Sequence, residues 1–230
     1  MQAIILAGGY GTRLLSIVSD VPKPMAPIQS KPFLAYLLDR LVEHEFTKVV
    51  LAVGHQHQTI IDYFGDKYKT LQLEYSIEED LLGTGGAIKK AFQYISCDSL
   101  FVMNGDTFFE VEYSLMVKQQ SLSSSKLVLA LRKTTDVSRY GSVIIKDEDI
   151  ISFQEKGLAG PGLINAGCYL LSKELFTTFD LPDSFSFENH FLHPFVKEIR
   201  PKAVISDSYF IDIGIPEDYQ RAQIELPTRL

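Results

Sequence analysis

Residues 2–14 read QAIILAGGYGTRL, an apolar run that breaks into a loop of glycines ending in Thr12 and Arg13. The run Gln2–Ala7 predicts a buried strand. It is far shorter than the ~20 apolar residues a membrane helix needs. Glycines placed directly after a strand serve either a tight turn or a close approach of backbone to a ligand. The segments that follow decide the fold class. Phe33 to Phe46 carries Leu34, Leu37, Leu38 and Leu41 at helical spacing after a Ser-Lys-Pro start. KVVLAV (48–53) reads as a strand, Gln56 to Phe64 as a helix and LQLEYSI (71–77) as a strand. Ala87, Ile88, Ala91, Phe92 and Ile95 predict a helix over 87–95, and SLFVMNGD (99–106) a strand with a polar end. This alternation implies βαβ units and a parallel sheet covered on both faces.

Beyond Ser125 the pattern changes. KLVLAL, GSVIIK, IISFQEK and INAGCYLL are strand-like, with fewer helices between them. SFENHFLHPFVKEI (186–199) reads as a helix, KAVIS and YFIDIG as strands, and the segment from Pro216 as a helix with proline in its first turn. SLSSSK (121–126) reads as a short polar loop. The second half therefore completes the same sheet and adds a smaller β-rich lobe. With no linker or repeat, residues 1–230 are expected to be a single domain. Polar clusters at 8–13, 104–106, 155–156 and 212–214 fall at strand ends, where open α/β sheets bind ligands.

A chain of 230 residues can bury a substantial core. Its net charge of −7, with histidines neutral, argues against a nucleic-acid surface and directs attention to the few cations beside glycine loops. MQAIILAGG lacks the basic start of an export signal, so the cytoplasm is the expected compartment. Cys97 and Cys168 are expected to be buried and unpaired.

Three phosphate-loop readings compete for the opening loop. The dinucleotide pattern G-x-G-x-x-G from Gly9 and Gly11 needs glycine at 14, where Leu14 stands. The pattern G-x-x-x-x-G-K-[ST] occurs nowhere. The third is a loop whose N–H groups cradle phosphate while Arg13 grips it as a charged fork. Its bland alternative is a tight strand exit with a surface arginine. DVPKPMAPI (20–28) sets Lys23 between two prolines, which predicts a stiff extended loop that aims a charge. A solvated loop lysine is the alternative there.

GGYGTRL followed by PKPMAPI, and then by LGTGGAI, NGD, RYGSV, EKG, INAGCYLL and FIDIGIPEDYQRAQ, resembles the sugar-phosphate nucleotidylyltransferases over nearly the whole chain. The resemblance implies a Rossmann-like α/β fold, a mixed and mostly parallel sheet flanked by helices with a smaller sugar-binding lobe. It implies transfer of a nucleoside monophosphate from a nucleoside triphosphate to a sugar 1-phosphate. By that resemblance Leu6, Ala7, Gly8, Gly9, Gly11, Thr12 and Arg13, with Gly83, Thr84 and Gly85, bind the nucleotide. Arg13 and Lys23 are the catalytic cations. Asn104, Tyr140, Gly141, Glu155, Lys156 and Asn165 hold the sugar phosphate. EKG has Gly157 where the family pattern has proline, which leaves the contacts of Glu155 and Lys156 less defined.

Asp106 and Asp212 are implied metal ligands. Mg²⁺, the expected cofactor, favours one or two carboxylates plus phosphate oxygens. A lone aspartate at a strand end is otherwise a cap or turn residue. The LGTGGAI form is similar to guanylyltransferases, so GTP is the favoured nucleotide. His190, His193 and Glu188, and likewise His55 and His57, read as ordinary residues rather than a metal site. The expected partners are small-molecule substrates, with no nucleic acid and no membrane. A homo-oligomer is compatible with the sequence, and surface-polysaccharide precursor synthesis is the expected setting. A non-catalytic sugar-nucleotide sensor is the rival from another class, and the complete set of charges disfavours it. A nicotinamide-dependent oxidoreductase is disfavoured by Leu14.

Overall fold

Side chains of the first strand, β1 (Gln2–Leu6), divide between two cores. Ala3 and Ile5 enter one and Ile4 the other, all fully buried. This two-sided burial is what a run of apolar residues achieves at the centre of a covered sheet. The computed structural model describes residues 1–9, 14, 18 and 20–229. In chain order the further strands are β2 (Pro27–Ile28), β3 (Lys31–Pro32), β4 (Lys48–Val53), β5 (Lys67–Tyr68), β6 (Leu71–Ile77), β7 (Ser99–Asn104) and β8 (Thr107–Phe109). They continue with β9 (Leu127–Thr134), β10 (Val143–Lys146), β11 (Asp149–Phe153), β12 (Gly162–Ser172), β13 (Lys202–Ser206) and β14 (Phe210–Asp212). The helices are α1 (Phe33–Glu43), α2 (His57–Phe64), α3 (Gly83–Ala91), α4 (Tyr113–Ser123), α5 (Glu174–Thr177), α6 (Val196–Ile199) and α7 (Pro216–Glu225).

Ten strands form one sheet in the order β10-β11-β13-β9-β12-β7-β1-β4-β6-β5. Strands β7, β1, β4 and β6 are parallel neighbours, as are β9 and β13. Between these two groups β12 runs antiparallel to both β7 and β9. The sheet is thus mixed and mostly parallel through its centre. One face is covered by Leu34, Leu38 and Leu41 of α1, Ile60 and Phe64 of α2, Met116 of α4 and Ala222 of α7. The other carries Ala87, Ile88 and Ala91 of α3, with an aromatic group of Phe176, Phe185, Phe187 and Phe191. Two small ladders, β8–β14 and β2–β3, stand apart from the large sheet.

Strand order, not strand direction, reverses about β1, whose parallel neighbours are β4 on one side and β7 on the other. Such a switch point opens a crevice at the carboxyl ends of the strands. Leu6 pairs with Asn104 there. The Gly105 N–H donates to the Leu6 carbonyl at 2.9 Å, and a Cβ on Gly105 would meet that oxygen at 2.5 Å.

Five local expectations are corrected. The helix placed at 87–95 begins at Gly83, because the glycines fit beneath Phe185; only a 3₁₀ turn follows Ala91. PKPM is a 3₁₀ turn rather than extended, closed by Met25 N–H to Pro22 C=O (2.7 Å) and Ala26 N–H to Lys23 C=O (3.0 Å). SFENHFLHPFVKEI is a π-helical turn (Phe187–Leu192) and the short α6, since Pro194 has no N–H to carry one ladder through. Residues 121–123 of SLSSSK end α4, a helix hidden from pattern reading because exposed Leu115, Val117 and Leu122 interrupt any apolar stripe. Cys168 is buried and unpaired, but Cys97 is only half-buried.

Candidate active site

Two cavities meet over the carboxyl ends of β1 and β7. One, about 380 Å³, is lined by Leu6, Ala7, Gly8 and Gly9, by Glu78 and Leu81, by Gly83, Thr84 and Ala87, and by Gly105 and Asp106. The second, about 280 Å³, is lined by Tyr140, Gly141 and Ser142, by Phe153, Gln154 and Lys156, by Asn165 and Gly167, and by Asn189, His193 and Asp212. Asn104 and Glu188 belong to both, so the cavities share a wall.

Of the residues assigned to the nucleotide, Leu6, Ala7, Gly8, Gly9, Gly83 and Thr84 line the first cavity. Gly85 does not. It lies beneath the Phe185 ring and donates its N–H to the Phe185 carbonyl at 2.9 Å, so its role is helix packing. Gly11, Thr12 and Arg13 lie outside the described residues. The sugar assignments Asn104, Tyr140, Gly141, Lys156 and Asn165 line the second cavity. Glu155 does not; its side chain is exposed to solvent.

Local structure accounts for these positions. Gly167, at φ +65°, packs on Asn104, and a Cβ there would lie 2.8 Å from the Asn104 Cγ. Pairing of β12 with β9 shifts register between Asn165 and Tyr169, so NAG is a bulge that turns Asn165 to the cavity. The Gly167 N–H donates to Asn165 Oδ1 at 3.1 Å and fixes the amide. Gly141, at φ +76°, lies against the Gln154 carbonyl. Arg139 anchors this turn to α7 through a 2.7 Å ion pair with buried Asp218. The Tyr140 ring meets Phe210 edge-on at 5.7 Å, and burial raises its hydroxyl pKa to about 12.

At the seam Lys23 places its ammonium 2.5 Å from Asp106 Oδ2 and 3.8 Å from Asp212 Oδ1. The 3₁₀ turn and its prolines hold this lysine with only 9% of its side chain accessible. Asp212 ends β14 and pairs with Thr107 of β8, and Asp106 lies in the turn just before β8. Their donor set, two hard carboxylates already gathered around one cation, fits a divalent metal with phosphate oxygens completing the shell. Asp212 Oδ1 also accepts the Gly214 N–H at 2.7 Å, so the turn role holds for this residue whatever else it binds.

Glu188 is a site residue that the sequence reading set aside as ordinary. Its Oε1 accepts the buried Tyr169 hydroxyl at 2.9 Å, and that hydroxyl accepts the Asn165 amide at 2.8 Å. Thr84 donates to Glu188 Oε2 at 3.4 Å and accepts the Phe187 N–H at 2.8 Å. One carboxylate thus ties the glycine turn of the first cavity to the bulge of the second. Burial, reinforced by Glu188, drives the Tyr169 pKa well above its ordinary value, so the phenol remains the donor. His193 stacks on Phe153 with centroids 4.4 Å apart, and burial lowers its pKa despite Glu188 and Glu155. A glutamate in an aromatic run gives no sequence signal of this kind; only the π-turn brings it to the seam.

Glu188→Ala is expected to lower unfolding free energy by about 1–3 kcal/mol, the cost of orphaning a buried hydroxyl. It is also expected to raise KM for both substrates at once. Urea denaturation and two-substrate kinetics check this, and a stability loss with unchanged KM values would reduce Glu188 to a structural strut.

The nucleotidyl transferase family model matches residues 2–229. A D-glycero-alpha-D-manno-heptose 1-phosphate guanylyltransferase of Campylobacter jejuni is 47% identical, covering 95% of this chain and 97% of its own. One of Aneurinibacillus thermoaerophilus is 46% identical, covering 98% of each. The crystal structure of HddC from Yersinia pseudotuberculosis complexed with GMP-PN superposes with a TM-score of 0.85 at 40% identity, covering 96% of this chain and 97% of that one. With residues 2–229 matched by the family model and two relatives above 45% identical over nearly the full chain, the chain belongs to the nucleotidyl transferase family.

Proposed function

We propose that this protein transfers a guanylyl group from GTP to D-glycero-α-D-manno-heptose 1-phosphate, giving GDP-heptose and pyrophosphate. The observation that carries this reading is the pair of cavities sharing Asn104 and Glu188, with Lys23, Asp106 and Asp212 at their junction. Near full-length identity to two guanylyltransferases of that specificity supports the choice of substrates. One unit over residues 1–230 carries the whole reaction in this account.

The nucleophile is a non-bridging oxygen of the sugar phosphate. A phosphate monoester has its second pKa near ~6, so it is largely dianionic at neutral pH and needs no general base. Its oxygen forms a bond to the α-phosphorus in line with the leaving group. The bond from the α-phosphorus to the β-phosphate bridge breaks, and its electron pair departs with pyrophosphate. The obstacle is the meeting of two polyanions, so catalysis rests on positioning and on fixed positive charge. Lys23 neutralises phosphate at the junction, Lys156 holds the sugar phosphate, and Arg13 grips the triphosphate and the departing pyrophosphate. Asp106 and Asp212 would hold Mg²⁺, which offsets triphosphate charge when bound.

GTP labelled at the α-phosphorus is expected to pass its label to the sugar nucleotide, and GTP labelled at the γ-phosphorus to pass it to pyrophosphate. Label from the γ position in the sugar product would overturn the mechanism. Arg13→Ala is expected to lower kcat by ~10²–10³-fold, the scale of losing one preorganised charge contact at the transition state. Its melting curve should match the parent, since the loop glycines remain. A folded variant with near-parental turnover would remove Arg13 from the mechanism.

A further inference from the structure

Helix α7 reaches three parts of the site. It starts two residues beyond Gly214, whose N–H donates to Asp212. Tyr219 Oη donates to the Pro27 carbonyl at 2.6 Å and Gln223 Nε2 to the same oxygen at 2.7 Å, which fixes the chain just beyond the Lys23 turn. The third contact is through Asp218. Its side chain is 7% accessible; Oδ2 accepts from Arg139 Nη1 at 2.7 Å and Oδ1 from Arg221 Nη1 at 2.9 Å. Arg221 belongs to α7 itself and also meets Glu225, so Arg139 is the partner that carries the contact out of the helix.

Arg139 sits in the turn that lines the second cavity. The Tyr140 and Gly141 N–H groups both donate to the Val137 carbonyl at 3.0 Å and close that turn. The Gly157 N–H donates to the Ser138 carbonyl at 2.8 Å, so the same turn fixes the backbone beside Lys156. The turn leads into the hairpin β10–β11, which joins β13 of the large sheet through one register pair, Asp149 with Lys202, near the hairpin's tip. At the other end Val143 and Phe153 border the cavity and, among the described residues, pair in the ladder only with each other. The cavity end of the hairpin is therefore the end without a sheet partner, and the Arg139–Asp218 pair ties the turn beside it to α7. An exposed ion pair contributes little. Here the carboxylate is buried and held from both sides, so charge-assisted hydrogen bonds define its geometry.

We propose that Arg139 is a positioning residue for the sugar phosphate: clamped by Asp218, it sets the Tyr140–Gly141 turn and Lys156 against the seam of Lys23, Asp106 and Asp212. This rests on the nucleotidyl-transfer reading, in which Tyr140, Gly141 and Lys156 hold the sugar phosphate. Arg139 lines neither cavity, so it acts through the turn. In-line attack depends on where the sugar phosphate oxygen stands, and a small shift of this turn is felt by that substrate and not by GTP.

Arg139→Gln separates this role from simple support, because Asp218 keeps Arg221 as a partner and no buried charge is orphaned. Initial-rate kinetics with GTP and D-glycero-α-D-manno-heptose 1-phosphate are expected to give a ~10-fold higher KM for the sugar phosphate and a KM for GTP within ~2-fold of the parent. The same split is expected with whichever sugar 1-phosphate the parent turns over. Arg139→Lys keeps a cation within reach of Asp218 and should recover most of the loss. Arg221→Gln removes the other partner of the same carboxylate without touching the turn. It should melt close to Arg139→Gln while both KM values stay near parental. Matching KM values in Arg139→Gln and Arg221→Gln, or a joint rise of both KM values in Arg139→Gln, would overturn the assignment while leaving nucleotidyl transfer standing. A parent that releases no pyrophosphate from GTP with any sugar 1-phosphate would overturn the transfer reading and this inference with it.

Discussion

Asp106→Asn is expected to lower turnover by ~10²-fold or more at saturating substrates, the scale found when one charged contact at a transition state is removed. The substitution is nearly isosteric. Asp106 lies in the turn between β7 and β8 with a third of its side chain accessible, and the Thr107 hydroxyl can donate to the amide oxygen as it does to Oδ1. Folding should therefore survive. What is lost is a negative charge that now faces the Lys23 ammonium at 2.5 Å. An amide oxygen is a weaker ligand than a carboxylate for a hard divalent cation. The dependence of rate on Mg²⁺ should shift to higher concentration. Asp212→Asn should shift it less, because the turn contact to the Gly214 N–H persists through the amide oxygen. Initial rates across a Mg²⁺ titration check both. An Asp106 variant within about threefold of the parent at every metal concentration would make the aspartate a turn residue and nothing more.

Gly83→Val is expected to be the most damaging single change to the fold around the nucleotide cavity. Gly83 has φ +66°, a conformation that a β-branched residue enters only at a cost of about 1–2 kcal/mol. A Cβ would also stand 2.6 Å from the Phe185 carbonyl oxygen, which is backbone and cannot swing away. Overpacking of this kind costs about 1–3 kcal/mol. Together these effects should lower unfolding free energy by about 2–5 kcal/mol and the melting temperature by about 5–15 °C. Nucleotide affinity should fall in parallel, because Gly83 and Thr84 line the cavity and Thr84 reaches Glu188. A variant melting within about 2 °C of the parent would show that the turn relaxes freely.

Much of this architecture was legible in the sequence where period and burial agree. QAIILA, KVVLAV and SLFVMN are continuous apolar runs because their strands are buried on both faces. α1 and α7 carry their own start signals in Pro32 and Pro216. Gly8, Gly9, Lys23, Asp106 and Asp212 were legible as neighbours, since the strand ends near them meet at a switch point. Local pattern failed where tertiary packing decides. Phe185, about a hundred residues away in sequence, sets the start of α3 by sitting on Gly85. Glu155 is a sugar ligand by the family resemblance, yet the turn leaves it exposed while Lys156 lines the cavity. Glu188 reads as ordinary in the sequence because it acts through partners remote in sequence, Tyr169 and Thr84.

The most direct measurement is pyrophosphate release with Mg²⁺, crossing GTP, ATP, CTP, UTP and dTTP with manno-heptose, mannose and glucose 1-phosphates. Release confined to GTP with D-glycero-α-D-manno-heptose 1-phosphate is the predicted result. Release with GTP and mannose 1-phosphate alone would keep the mechanism and correct the sugar, since the two sugars share ring stereochemistry and differ beyond C6. No release from any pair, by protein that still binds a sugar nucleotide, would contradict the account and make the chain a sensor rather than an enzyme.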